Sequence, residues 1–118
     1  MSGGKARGDW GEALTANYLR EHGYEIVASQ YRTRFGELDL VAQRNGILCF
    51  VEVKLRKNTE HGLPREFVTL SKQRKLRAAA QYYLMVHNAA DMPCRFDVAE
   101  VYPEGDGARI EYIENAFW

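Results

Sequence analysis

The chain has 118 residues, of which 46% are hydrophobic and 27% charged, and its formal net charge is zero. These values describe one ordinary globular domain spanning residues 1–118 with a core of its own, and they exclude a disordered chain. No apolar run approaches the roughly 20 residues of a membrane span, and Met1-Ser2-Gly3-Gly4-Lys5 lacks the apolar stretch of a secretory signal, so a cytoplasmic setting without a membrane partner is expected.

The first predicted helix starts from Asp9 as a cap and runs to about His22, where Gly23 ends it. A strand begins at Tyr24-Glu25-Ile26-Val27-Ala28. Two apolar runs, Glu37 to Leu40 and Ile47 to Val51, flank Asn45-Gly46, a strong hairpin signal because both residues tolerate the positive φ of a type I′ turn. A loop is expected from Leu55 to Val68. A second helix follows from about Ser71 to His87, with Leu76, Ala80, Tyr83, Leu84 and His87 as its apolar stripe. Arg95 to Val101 and Arg109 to Ile113 read as strands around an Asp106-Gly107 turn. Cys49 and Cys94 lie far apart in apolar runs, without zinc-ligand spacing, and read as small core residues.

Charge is unevenly distributed. Residues 54–77 hold eight Lys/Arg against two Asp/Glu, whereas residues 91–118 hold two against seven. A basic block inside a neutral chain is one footprint of a phosphate ligand; a solvated loop and helix face is the plain alternative.

The hairpin also fixes a register. With Asn45-Gly46 as a two-residue turn and no β-bulge, Asp39 lies opposite Glu52 and Glu37 opposite Lys54, all on one face. Leu38, Leu40, Ala42, Cys49, Val51 and Val53 then share the other face as core. Like charges directly opposed in a sheet destabilise it. A protonated carboxyl, a bridging cation or a bound hard metal would offset that, and magnesium takes one or two carboxylates while keeping open positions for substrate phosphate. An adjacent lysine can stabilise developing charge. The competing structural reading is a Glu37–Lys54 salt bridge beside a carboxyl pair neutralised by Arg.

Asp39, Glu52-Val53-Lys54 resembles the D…(D/E)XK signature of the PD-(D/E)XK nucleases, with Leu38 in place of the proline. Gly11-Glu12-Ala13, Gly36-Glu37-Leu38-Asp39-Leu40, Phe50-Val51-Glu52-Val53-Lys54 and Arg95-Phe96-Asp97-Val98 resemble the bacterial YraN-like family of endonuclease-like proteins, over roughly Arg7 to Tyr102. The resemblance implies a restriction-endonuclease-like α/β fold with a mixed central sheet flanked by helices, related to Holliday-junction resolvases. It implies Asp39 and Glu52 as metal ligands, the Val53 carbonyl as a third, Lys54 as the catalytic lysine, and Glu12 in the first acidic position. Glu12 shares a helix face with Ala16 and Leu19, which turns it inward; a helix N-terminal charge favoured by the dipole is the alternative. Gln73 and Lys72 precede Leu76 on the stripe and can point toward the sheet, Gln73 as a further catalytic residue.

The expected activity is magnesium-dependent (manganese being an alternative) hydrolysis of a phosphodiester in DNA, with branched or repair intermediates as candidate substrates. Arg56, Lys57, Arg65, Lys72, Arg74 and Lys75 would hold the backbone without reading sequence. Cations in the first turns of a helix oppose its dipole unless phosphate binds there. The alternative is a non-catalytic module that binds nucleic acid or protein, and a head-to-tail homodimer is conceivable from the opposed charges of the two segments.

Overall fold

The computed structural model describes residues 3–56 and 68–117. In chain order the elements are α1 (Gly3–Glu21), β1 (Glu25–Arg32), β2 (Glu37–Arg44), β3 (Ile47–Leu55), α2 (Leu70–Val86), β4 (Cys94–Glu104) and β5 (Gly107–Phe117). The strands form one sheet in the order β1-β2-β3-β4-β5. All neighbouring pairs are antiparallel except β3 and β4, which run parallel with α2 as their crossover.

Each face of the sheet carries one helix, because the central strands are apolar on both sides. Leu76, Ala79, Ala80 and Tyr83 of α2 pack on Val41, Leu48, Phe50, Phe96 and Val98. On the opposite face Ala16 and Leu19 of α1 pack on Leu40, Ala42, Cys49, Val51 and Ala99. This is the predicted mixed α/β sandwich.

Boundaries differ from expectation in three places. Helix α1 begins at Gly3, so Asp9 is not its cap: it lies within the helix and accepts a hydrogen bond from Gln30 Nε2 at 2.6 Å. Helix α2 is capped by Thr69, whose hydroxyl accepts from the Lys72 amide at 3.1 Å. The last hairpin turns at Gly105-Asp106, with Gly105 at φ 56°, one residue earlier than predicted. The Asn45-Gly46 turn is as read, with φ of 54° and 77°.

The ladder between β2 and β3 holds the predicted register from Arg44/Ile47 to Leu40/Val51, and there it ends. The assumption of an unbroken strand fails at this point. Leu38 packs on the α2 side with Val41, whereas Leu40 packs on the α1 side, so alternation breaks at Asp39. Opposite it in β1, Gln30 has φ 48°, although the β1–β2 register runs on from Ser29/Leu40 to Arg32/Glu37 and shifts only between Ile26 and Ala28. The β2–β3 ladder is thus open at the end of the sheet that the hairpin turn points away from, where an irregular strand commonly re-aims a side chain.

Candidate functional site

Where β2 and β3 part, the Asp39 carboxylate takes over a backbone role: its Oδ2 accepts the amide hydrogen of Val53 at 2.8 Å. Hydrogen-bonded pairs alternate along such a ladder, so a continued β2 would have offered the Leu38 carbonyl to that amide. Asp39 and Glu52 are therefore brought together as predicted, but by this substitution rather than by direct cross-strand opposition.

Glu52 is 5% exposed and meets α2 at Lys72. Its Oε2 is 3.7 Å from Lys54 Nζ and 3.5 Å from Lys72 Nζ, while Oε1 is buried without a hydrogen-bond partner. Lys54 thus pairs with Glu52, and the Glu37–Lys54 bridge of the competing structural reading is not formed: Glu37 pairs with Arg32 across β1 and β2 at 3.6 Å. Burial foremost, then the charge of Glu52, pushes the Asp39 carboxyl up to about 8; the Val53 amide opposes this and Glu12 adds to it. Glu12 is half-buried, and burial raises its carboxyl too, against a hydrogen bond from Gln30.

Two glycines let the helices reach this point. A methyl group at Gly11 would lie 3.6 Å from Val53 Cγ1, so α1 crosses β3 at near contact and delivers Glu12 beside the carboxylates. A methyl at Gly36 would lie 3.4 Å from both Lys75 Cβ and the Lys75 carbonyl, so the β1–β2 turn abuts α2.

The other predicted residues are distributed as follows. Gln73 is not among the carboxylates; its amide donates to the Val68 carbonyl at 2.9 Å and closes the first turn of α2. Arg74 and Lys75 are exposed on that turn. Arg56 Nε donates to Glu100 at 2.7 Å, and the guanidinium forms a largely buried ion pair with it, which makes Arg56 an anchor at the end of β3 rather than an open phosphate contact. Lys57 and Arg65 lie outside the described residues.

Two further buried carboxylates do not figure among the predicted sites. Glu100 is 1% exposed, held by Arg56 and by the Tyr102 hydroxyl at 2.6 Å. Asp97 is fully buried and accepts from Arg95 Nε, from the Tyr112 hydroxyl at 2.5 Å and from the Asn115 amide at 2.8 Å. The signal for both is a charged residue in a strand otherwise built for the core. Asp97 sits where the β4–β5 register shifts and fastens the irregular end of β5. Burial, then Asp97, pushes the nearby Cys49 thiol up to about 12, so it is an inert core residue.

Among the described residues no three His, Cys, Asp or Glu side chains stand closed around a metal position. The arrangement is a carboxylate pair, Asp39 and Glu52, with Glu12 in electrostatic reach. Magnesium binding needs only one or two carboxylates, and the unpartnered Glu52 Oε1 offers the lone pairs.

Helices on both faces of a five-stranded mixed sheet, with acids and lysines gathered where the central strands part, define a restriction-endonuclease-like α/β domain. No helix among the described residues is long and apolar enough to cross a membrane. The chain belongs to the YraN family: its residues 11–101 match the family described as "Uncharacterised protein family UPF0102". It is 48% identical over 114 residues to a UPF0102 protein of Lachnoclostridium phytofermentans, covering 96% of this chain and 93% of that one. It is likewise 48% identical over 111 residues to a UPF0102 protein of Symbiobacterium thermophilum, covering 93% and 94%. A UPF0102 protein of Clostridioides difficile is 42% identical over 113 residues, at 96% and 97% coverage.

Proposed function

We propose that this domain is a divalent-metal-dependent endonuclease acting on DNA in the cytoplasm. The observation that carries the reading is the pairing of Asp39 with Glu52 at a defect in the sheet, with Glu52 Oε1 unpartnered and two ammonium groups alongside. A sheet built for stability alone gains nothing from two carboxylates at one strand end; function is a common reason to retain such a cost.

Asp39 and Glu52 would hold magnesium or manganese, with the Val53 carbonyl and Glu12 as further oxygen donors. Bound there, the cation supplies a Lewis acid that polarises a phosphoryl oxygen and makes water more acidic. Asp39 gives up its proton when the pair is loaded. Lys54, fixed by Glu52, faces charge that develops on the phosphate. Lys72 and the exposed Arg74 and Lys75 hold the DNA backbone by charge, without reading its sequence.

The test is cleavage of end-labelled duplex, single-strand, flap and four-way-junction DNAs with Mg²⁺ or Mn²⁺, beside Lys54→Ala purified identically. Cleavage by the parent alone is expected. Equal cleavage by both proteins would assign the activity to a contaminant, and no cleavage by either, with salt-dependent binding retained, would leave a binding module on a nuclease-like fold.

A further inference from the structure

Phe35 is 41% exposed at the tip of the β1–β2 turn, and the turn holds it firmly. The Thr33 hydroxyl accepts from the amides of Phe35 at 3.0 Å and Gly36 at 3.1 Å and donates to the Gly36 carbonyl at 2.8 Å. The Arg34 guanidinium carbon lies 5.0 Å from the centre of the Phe35 ring. The Tyr82 ring of α2 stands 6.3 Å away, tilted by 57°. The exposed Met85 and Val86 follow Tyr82 by one turn of α2, but Phe35 itself stands on a rigid turn with the Arg34 guanidinium against its ring. It matches what a nucleobase and its phosphate need together, a π-face and positive charge.

The position is continuous with the carboxylate site. Lys72 is at Glu52, Lys75 touches the turn at Gly36, and Tyr82 meets Phe35. These three α2 residues are spaced so that they follow one side of the helix. From Lys72 to Tyr82 is about 15 Å at the helical rise, roughly the length of four stacked nucleotides at about 3.4 Å each.

We propose that this strip holds an unpaired stretch of DNA, with one base stacked on Phe35, so that the domain acts where a single strand meets a duplex. The proposal rests on the endonuclease reading above and names its substrate class.

Binding without cleavage is measured in EDTA, by fluorescence anisotropy of a duplex with a single-stranded overhang and of a blunt duplex of equal length. A second overhang carries 2-aminopurine, whose fluorescence falls on stacking. Phe35→Ala is expected to weaken overhang binding about ten-fold, near 1.4 kcal/mol, to change blunt-duplex binding less than about two-fold, and to abolish the 2-aminopurine quenching. Phe35→Trp should keep all three signals, and unchanged thermal melting of both variants shows that they fold. Overhang binding by Phe35→Ala equal to that of the parent would overturn the proposal, and so would a dimer in sedimentation that Phe35→Ala dissolves. If the stacking fails in this way while Lys54→Ala still stops cleavage, the endonuclease reading stands alone. If the parent binds no overhang the proposal fails, and if it also cuts no DNA with Mg²⁺ or Mn²⁺ both fall.

Discussion

Asp39 stands in for a piece of backbone: its carboxylate holds the Val53 amide at 2.8 Å at the point where the β2–β3 ladder ends. The chain thereby trades a regular sheet hydrogen bond for a side chain placed against Glu52, and the protonation of that side chain becomes part of the protein's stability.

Stability should consequently fall as pH rises, in metal-free buffer. The ordinary aspartate value is 3.8, and Asp39 in the fold stands at about 8. Between these values the native state keeps a proton that the unfolded chain has released, so the contribution is fully present below about pH 4 and lost as pH climbs through about 8. Melting temperature followed across that window should decline for the parent and stay flatter for Asp39→Asn, which ought also to be more stable above pH 8 by ~0.5–1 kcal/mol. A steeper decline in the variant would contradict the assignment.

Magnesium should reverse the trend. A cation that binds only the folded state stabilises it by about 2.7 kcal/mol at a hundred times its dissociation constant. The effect should grow with pH, because the pair must lose its proton first. Calorimetric titration of the parent against Glu52→Gln reads this directly, and equal heats from both proteins would place the cation elsewhere.

Removing the other buried aspartate should have the opposite consequence. Asp97→Ala leaves the Tyr112 hydroxyl and the Asn115 amide without this acceptor and takes from Arg95 its buried carboxylate, leaving it the Tyr24 hydroxyl and Glu114; breaking such a buried pair costs ~3–5 kcal/mol. Urea denaturation should show a much lower midpoint, or no folded protein. A midpoint within experimental scatter of the parent would mean that β5 does not depend on this anchor.

Lys54→Ala should lower cleavage about 100-fold or more if its ammonium meets charge formed in the transition state. Its effect on stability should be small, because Lys72 remains 3.5 Å from Glu52. Comparing single-turnover rates with DNA affinity separates the two roles, and a change confined to affinity would reassign Lys54 to substrate binding.

At Gly11 the clearance sets a size limit. Alanine meets Val53 at 3.6 Å, an ordinary contact, and should be accommodated. Valine must push α1 off β3 and carry Glu12 away, costing ~1–3 kcal/mol by overpacking. Melting temperature and the magnesium shift, measured for both variants, should fall together for valine alone.

Periodicity and turn chemistry make most of this domain legible from the order of its residues. Asn45-Gly46 sets the register through Leu40/Val51 because a two-residue turn leaves no freedom in pairing, and the stripe from Leu76 to Tyr83 sets the buried face of α2. Those are local rules, each decided by residues close in sequence. The end of the ladder is not legible in this way, since whether a strand continues or yields its hydrogen bond to a side chain depends on α1 and β1 arriving from elsewhere. The same holds for Lys72 reaching Glu52, for Gln73 turning back to Val68, and for Arg56 and Glu100 finding each other across 44 residues. Sequence alone determined which residues could bear chemistry and which faces would be apolar. Tertiary structure alone decided which charges meet, because the energy of a buried charge depends on partners that only the packed fold brings within a few ångströms.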